Sequence, residues 1–178
     1  MGNRGILHDA EGRMGPALWR HRAWIACRLD FGGRRRRLMA PGAYTELFFH
    51  DEAVALAAGH RPCAECRRAD HLAWRAAWAD AFGTAPTAPD MDAILHAARA
   101  HPGARRMRRW EAETADLPDG TFLSLPGGPA LLWEGAALPF APGGYAAPQP
   151  RPTGRVTVLT PEPAVRVLRA GYVPQVIR

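Results

Sequence analysis

Lysine is absent from this chain: all 23 of its basic residues are arginine, so the formal charge of +6 is carried by guanidinium groups alone. Together with abundant alanine, glycine and proline this fits a GC-rich coding bias, and arginine enrichment alone is therefore a weak sign of phosphate binding. Cysteine is scarce. Three residues, an odd number, cannot form a closed disulfide framework, and two of them sit in a C-x-x-C, which in a reducing compartment favours metal or redox chemistry. Long apolar runs are also missing, and nothing approaches the ~20 residues a membrane-spanning helix needs. Arg4, Arg13 and Arg20 have no apolar core between them of the kind a secretory signal carries, so a cytoplasmic protein with no membrane partner is expected. No P-loop, dinucleotide fingerprint or nucleophile elbow occurs, which leaves those chemistries without support.

What is present suits a globular protein. The chain has 178 residues, 47% of them apolar, enough for one good core or for two small lobes sharing an interface. Charge is unevenly spread. Residues 1–68 carry 12 arginines against 7 acids, residues 69–119 carry 6 against 8, and residues 120–178 carry 5 against 2. The positive field therefore gathers beside the cysteines, the footprint of a nucleic-acid binder, although a solvated surface gives the same count.

Trp24 to Phe31 alternates with Ile25, Cys27, Leu29 and Phe31 on one face, a half-buried strand. Gly32-Gly33 then predicts a hairpin into Arg34–Met39, with Cys27 inward opposite Leu38. A short strand at Leu47–Phe49 and a helix over Asp51–Ala58, stopped by Gly59, lead into the run Gly59-His60-Arg61-Pro62-Cys63-Ala64-Glu65-Cys66. A second helix, 67–82, places Trp74 and Trp78 on one stripe, most simply a core stripe, and Gly83 ends it. A proline linker precedes a short helix with Asp92, Leu95, His96 and Arg99, followed by the basic run Arg105-Arg106-Met107-Arg108-Arg109. Beyond residue 115 come strands near 121–125, 130–133, 136–140 and 156–159, a helix over 163–170, Gly171 and a terminal strand. The expected organisation is α+β: a small zinc lobe over 1–83 built from a β-hairpin and helices, a linking helical segment over 84–115, and a β-rich lobe over 116–178.

A weak internal echo relates Ala53–Pro62 to Val165–Pro174, each with a helix, a glycine stop, a ring residue and a proline. Gln175 and Arg178 stand where Cys63 and Cys66 stand in the first copy. The turn itself thus needs no cysteine, and the pair has another purpose.

Zinc takes four tetrahedral ligands, and one C-x-x-C turn delivers two thiolates to the same ion. Cys27 is the natural third ligand. For the fourth, His60 is favoured, with His21, His50, Asp30 and Glu65 as alternatives. A thioredoxin-like dithiol is the competing reading, but that motif opens a helix after a strand, whereas this one follows a helix stop and His-Arg-Pro. Cys27 taken alone also fits a small buried hydrophobe.

Phe48-Phe49, Glu52 and the Ala-Leu-Ala-Ala-Gly59 stretch, and Arg61-Pro62-Cys63-x-x-Cys66-Arg67 together resemble the downstream half of the Ada-type zinc domain of methylphosphotriester repair proteins, over residues 44–68. The resemblance implies that Cys63 and Cys66 are zinc ligands and that the protein has a DNA connection, in repair or the damage response. The family's upstream Cys-x-x-x-Cys is reduced here to Cys27, which implies a structural zinc rather than the methyl-transfer reaction. Arg34, Arg35, Arg36, Arg37, Arg61, Arg67 and Arg68 are the candidate phosphate contacts; charges guarding an edge strand would explain the hairpin arginines equally well. Two other functions stand beside DNA association. One is a metal-dependent endonuclease using Asp92 and His96, four apart on one helix face. The other is a protein-interaction module stapled by zinc.

Overall fold

The structure is a computed structural model that describes residues 1–33 and 37–177. Arg34, Arg35 and Arg36 lie outside the described residues. The N-terminal part holds three two-residue strands, β1 (Gly2–Asn3), β2 (Ile25–Ala26) and β3 (Arg61–Pro62), with a six-residue helix α1 (Glu52–Ala57) before β3. α1 begins where the sequence predicts it, because the Asp51 side chain accepts a hydrogen bond from the Val54 N–H at 2.9 Å and so caps the open end. Two longer helices follow, α2 (Arg68–Phe82) and α3 (Ala88–Arg99). α2 ends on Gly83 in the left-handed conformation, and α3 opens on a reciprocal capping box between Thr87 and Asp90.

The rest is mainly β: β4 (Trp110–Glu113), β5 (Phe122–Leu125), β6 (Gly128–Trp133), β7 (Ala136–Ala141), β8 (Gly144–Tyr145), β9 (Gln149–Pro150) and β10 (Arg155–Val158), then helix α4 (Glu162–Arg169). These strands form one antiparallel sheet of order β4-β10-β5-β6-β7-β8, with β9 on β7. Both faces are covered. Leu123, Ala130, Leu132 and Val158 pack with Val165 of α4 on one side, while Phe122, Leu131 and Leu138 meet Ala53 of α1 on the other. The alternation along β5 and β6 is the two-residue period of a strand buried on both faces.

The predicted α+β class holds. Trp74 and Trp78 are core, fully buried with Leu56, Met91, Leu95, Val167 and Leu168. That cluster draws on α1, α2, α3 and α4 at once, so apolar packing crosses both sequence boundaries expected at 83 and 115.

Three local expectations differ. Among the described residues, no hairpin joins 24–31 to 37–39; β2 instead lies between β1, antiparallel, and β3, parallel. Gly32 and Gly33 do take positive φ, as the turn requires, but the hydrogen-bonding edges of β2 are filled by the N-terminal chain and by the segment after α1. At Leu47 only a single bridge to Gly2 forms. Among the described residues after Gly171 there is no strand, because that backbone bonds to side chains: the Gln175 N–H donates to Glu52 Oε2 at 3.0 Å and the Ile177 N–H to Asp51 Oδ2 at 3.2 Å. Among the described residues no helix is long and apolar enough to cross a membrane.

Candidate metal centre

β2 and β3 are parallel neighbours, with Ile25 opposite Arg61 and Ala26 opposite Pro62. Cys27 and Cys63 are the residues that follow these two strands, so the pairing delivers both thiols to one end of the sheet. The Cys63 N–H donates to the Ala26 carbonyl at 3.1 Å, which extends the ladder to the cysteine itself. A turn closed by the Arg67 N–H on the Cys63 carbonyl, at 3.2 Å, then swings Cys66 back, and the Arg28 N–H donates to Cys66 Sγ at 3.3 Å. The three sulfurs lie within 4.8 Å of one another. They could hold a metal ion.

The thiols share protons unequally. The Cys63 thiol is pushed down to about 5, first by the hydrogen bond from Cys27, against the opposing effect of burial, with help from the Cys66 and Glu65 backbone N–H groups. The Cys27 thiol is pushed up, first by that same hydrogen bond to Cys63 and then by burial and its sulfur neighbours. Soft, close and partly ionised, the set has the donor chemistry of a thiolate metal site.

All three cysteines line a cleft of about 700 Å³ whose other walls include Ile25, Phe31, Leu38 and Phe48. The sequence hinted at Phe31 and Leu38 as neighbours of Cys27, and Phe48 belongs to the stretch that resembles a zinc domain, but nothing in it signalled Glu46 at the same cleft.

His60, the favoured fourth ligand, does not join the thiols. Only Cys27, Cys63 and Cys66 form a metal-ligating group among the described residues. The His60 ring is buried between Phe49 and Trp24, at centroid distances of 4.7 and 5.6 Å, and its Nε2 accepts from Arg4 Nε at 3.4 Å. The reason is the glycine stop before it. Gly59 at φ +85° turns the chain so that residue 60 faces the core and residues 61–63 run along β2. His21, His50, Asp30 and Glu65 also stand outside the group.

Asp92 and His96 share α3 as predicted but have separate surroundings. Both Asp92 oxygens are held by the Arg61 fork, Nε to Oδ1 at 2.8 Å and a terminal nitrogen to Oδ2 at 2.7 Å, in a pair almost shut off from solvent. His96 meets the edges of Trp19 and Trp24. Arg61 is thereby occupied internally. So is Arg67, which bridges Glu52 at 2.8 Å and Asp70 at 2.8 Å. Of the predicted phosphate contacts, Arg37 and Arg68 are described and exposed. Comparisons with family models, curated proteins and solved structures return no match.

Proposed function

We propose that this chain is a zinc protein that associates with nucleic acid, DNA in particular, in repair or the damage response. The observation that carries the metal is the convergence of Cys27, Cys63 and Cys66 from three separate positions of the chain. Zinc suits this donor set because it accepts thiolates at ~2.3 Å in a tetrahedron without redox demand. Among the described residues no histidine, aspartate or glutamate joins the thiols and all three line one cleft, so a fourth ligand would come from that cleft. The metal fastens the ends of β2 and β3 together, which is a structural task.

Association with DNA draws support from the Ada-like residues 44–68 and from the excess of arginine beside the thiols. Arg37 and Arg68 remain available for phosphate. The endonuclease reading loses its acid, since Asp92 is committed to Arg61.

Metal analysis of the purified protein tests the first step, with about one zinc per chain expected from one thiolate site and its loss in Cys63→Ser. Metal-free protein with a reversible Cys63–Cys66 disulfide would instead establish the dithiol. Incubation with plasmid and a divalent metal tests the second: retention that weakens with salt, without cutting, is expected. Nicking abolished by His96→Ala would establish the nuclease and rule out a role confined to binding.

A further inference from the structure

A second cleft, of about 560 Å³, shares no lining residue with the first and is lined by Trp19, Arg22, His96, His101 and Arg108 together with small residues of α3 and the turn after it. No carboxylate lines it among the described residues. We propose that this cleft is a phosphate subsite, gripped by Arg22 and Arg108 with the His96 and His101 rings between them.

The chain builds the cleft from two basic segments far apart in sequence. After α3 the backbone doubles back: the His101 N–H donates to the Arg106 carbonyl at 3.0 Å and the Arg108 N–H to the Arg99 carbonyl at 2.8 Å. Arg108 is thereby returned beside the helix end, where its Nε donates to the Ala100 carbonyl at 2.8 Å. The Leu18 N–H then docks on the Ala104 carbonyl at 2.7 Å, which seats Trp19 against Ala100, Ala104 and Met107 and brings Arg22 alongside. Arg22 has no carboxylate partner among the described residues and is solvent-exposed. Arg108 spends only Nε on the described protein, leaving its terminal nitrogens for a ligand.

His96 supplies the second observation. The ring lines the cleft, while its Nδ1 is shut off from solvent and has no hydrogen-bond partner among the described residues, so the ring can meet a ligand only through its remaining, cleft-facing edge. Edge contacts from Trp19 and Trp24, at 5.6 and 5.8 Å, fix the ring. Two guanidinium forks and a held imidazole facing one cavity without an acid suit a tetrahedral anion with several acceptor oxygens. Trp19 is itself buried and offers a base little stacking face. In the nucleic-acid reading, on which the source but not the chemistry of this ligand rests, it holds a backbone phosphate.

Histidine ring NMR at constant ionic strength tests this on the whole zinc-loaded chain, with inorganic phosphate and a short DNA duplex as separate probes. Phosphate should give a saturable shift at His96 that is lost in Arg22→Ala and in Arg22→Ala/Arg108→Ala. The duplex should move the same signal, and the double variant should bind it roughly tenfold more weakly, with a salt slope smaller by about 1.8 for two lost contacts. Arg13→Ala, an exposed arginine elsewhere, should leave both unchanged. A phosphate shift at His96 with no duplex binding by the chain keeps the subsite and removes the nucleic-acid reading. Duplex binding of undiminished strength in the double variant, with His96 unmoved, keeps that reading and overturns the subsite. Silence of His96 toward both probes overturns it as well.

Discussion

His60 illustrates how one buried side chain sets a pH limit. Burial, and then the charges of Arg4 and Arg99, hold its pKa well below the ordinary 6.5. Below about pH 6.5 the unfolded chain takes up a proton that the folded chain refuses, so stability present above that range is lost as pH falls, by up to about 1.4 kcal/mol per pH unit. His21, His71 and His96 are pushed the same way, chiefly by burial. Denaturant melts of the wild type and His60→Gln between pH 7 and pH 5 should therefore differ in slope by about one proton. Equal slopes would mean that His60 stays neutral in both states or charges in both. Asp92 makes the companion case. Asp92→Ala strands the Arg61 guanidinium in a buried site without its counter-charge, and a loss of about 3–5 kcal/mol is expected by denaturant unfolding.

At the scale of elements, the echo between Ala53–Pro62 and Val165–Pro174 has a structural content. In both, the ring residue's N–H reaches back five residues, His60 to the Ala55 carbonyl and Tyr172 to the Val167 carbonyl, while the glycine N–H bonds three back, to Leu56 and to Leu168. Both are the same helix stop, with Gly59 at φ +85° and Gly171 at φ +102°. They differ in what surrounds them. A Cβ on Gly59 would lie 2.7 Å from Arg99 Cδ, whose guanidinium is pinned to the Gly59 and Arg22 carbonyls, whereas a Cβ on Gly171 meets nothing within 4 Å. Gly171→Ala should cost about 1 kcal/mol from backbone strain alone. Gly59→Ala should cost clearly more and should also lower metal affinity, because it displaces β3 and with it Cys63. Thermal melts and zinc titration of the two variants would check the ordering.

Across the whole molecule the N- and C-terminal regions are tied together rather than strung in series. Glu52 of α1 accepts from the Tyr172 hydroxyl at 2.6 Å and from Gln175 while pairing with Arg67, and Asp51 accepts from the Tyr145 hydroxyl at 2.8 Å. The two residues that start α1 thus hold the sheet, the C-terminal segment and the turn after Cys66. A single cooperative unfolding transition is expected, with tryptophan fluorescence and backbone circular dichroism coinciding. Stripping the metal with a chelator should lower the midpoint of the whole transition; a ligand held a thousandfold above its Kd contributes about 4 kcal/mol. Separate transitions, with only one moved by the chelator, would show that the ties through Asp51 and Glu52 are too weak to couple the parts.

Local chemistry made much of this legible in sequence. The helix near Asp51–Ala58, Gly59, Gly83 and Gly171 as helix stops, Trp74 and Trp78 as a core stripe, and the β5–β7 strands each depend on residues a few positions apart, and each stands where its pattern placed it to within a residue or two. The C-x-x-C was legible for the same reason, and Cys27 does join it, although the alternation that singled Cys27 out is not kept: the strand covers only Ile25–Ala26 and Leu29 is exposed. What tertiary structure alone decided was pairing between distant segments. The hairpin pattern at Gly32-Gly33 was outcompeted when β1 and β3 took the edges of β2. His60 was turned into an aromatic pocket, and Arg61 and Arg67 were drawn inward by Asp92 and Glu52. Sequence counts charges but cannot say which will find a buried counter-charge, because that depends on which surfaces the chain brings face to face.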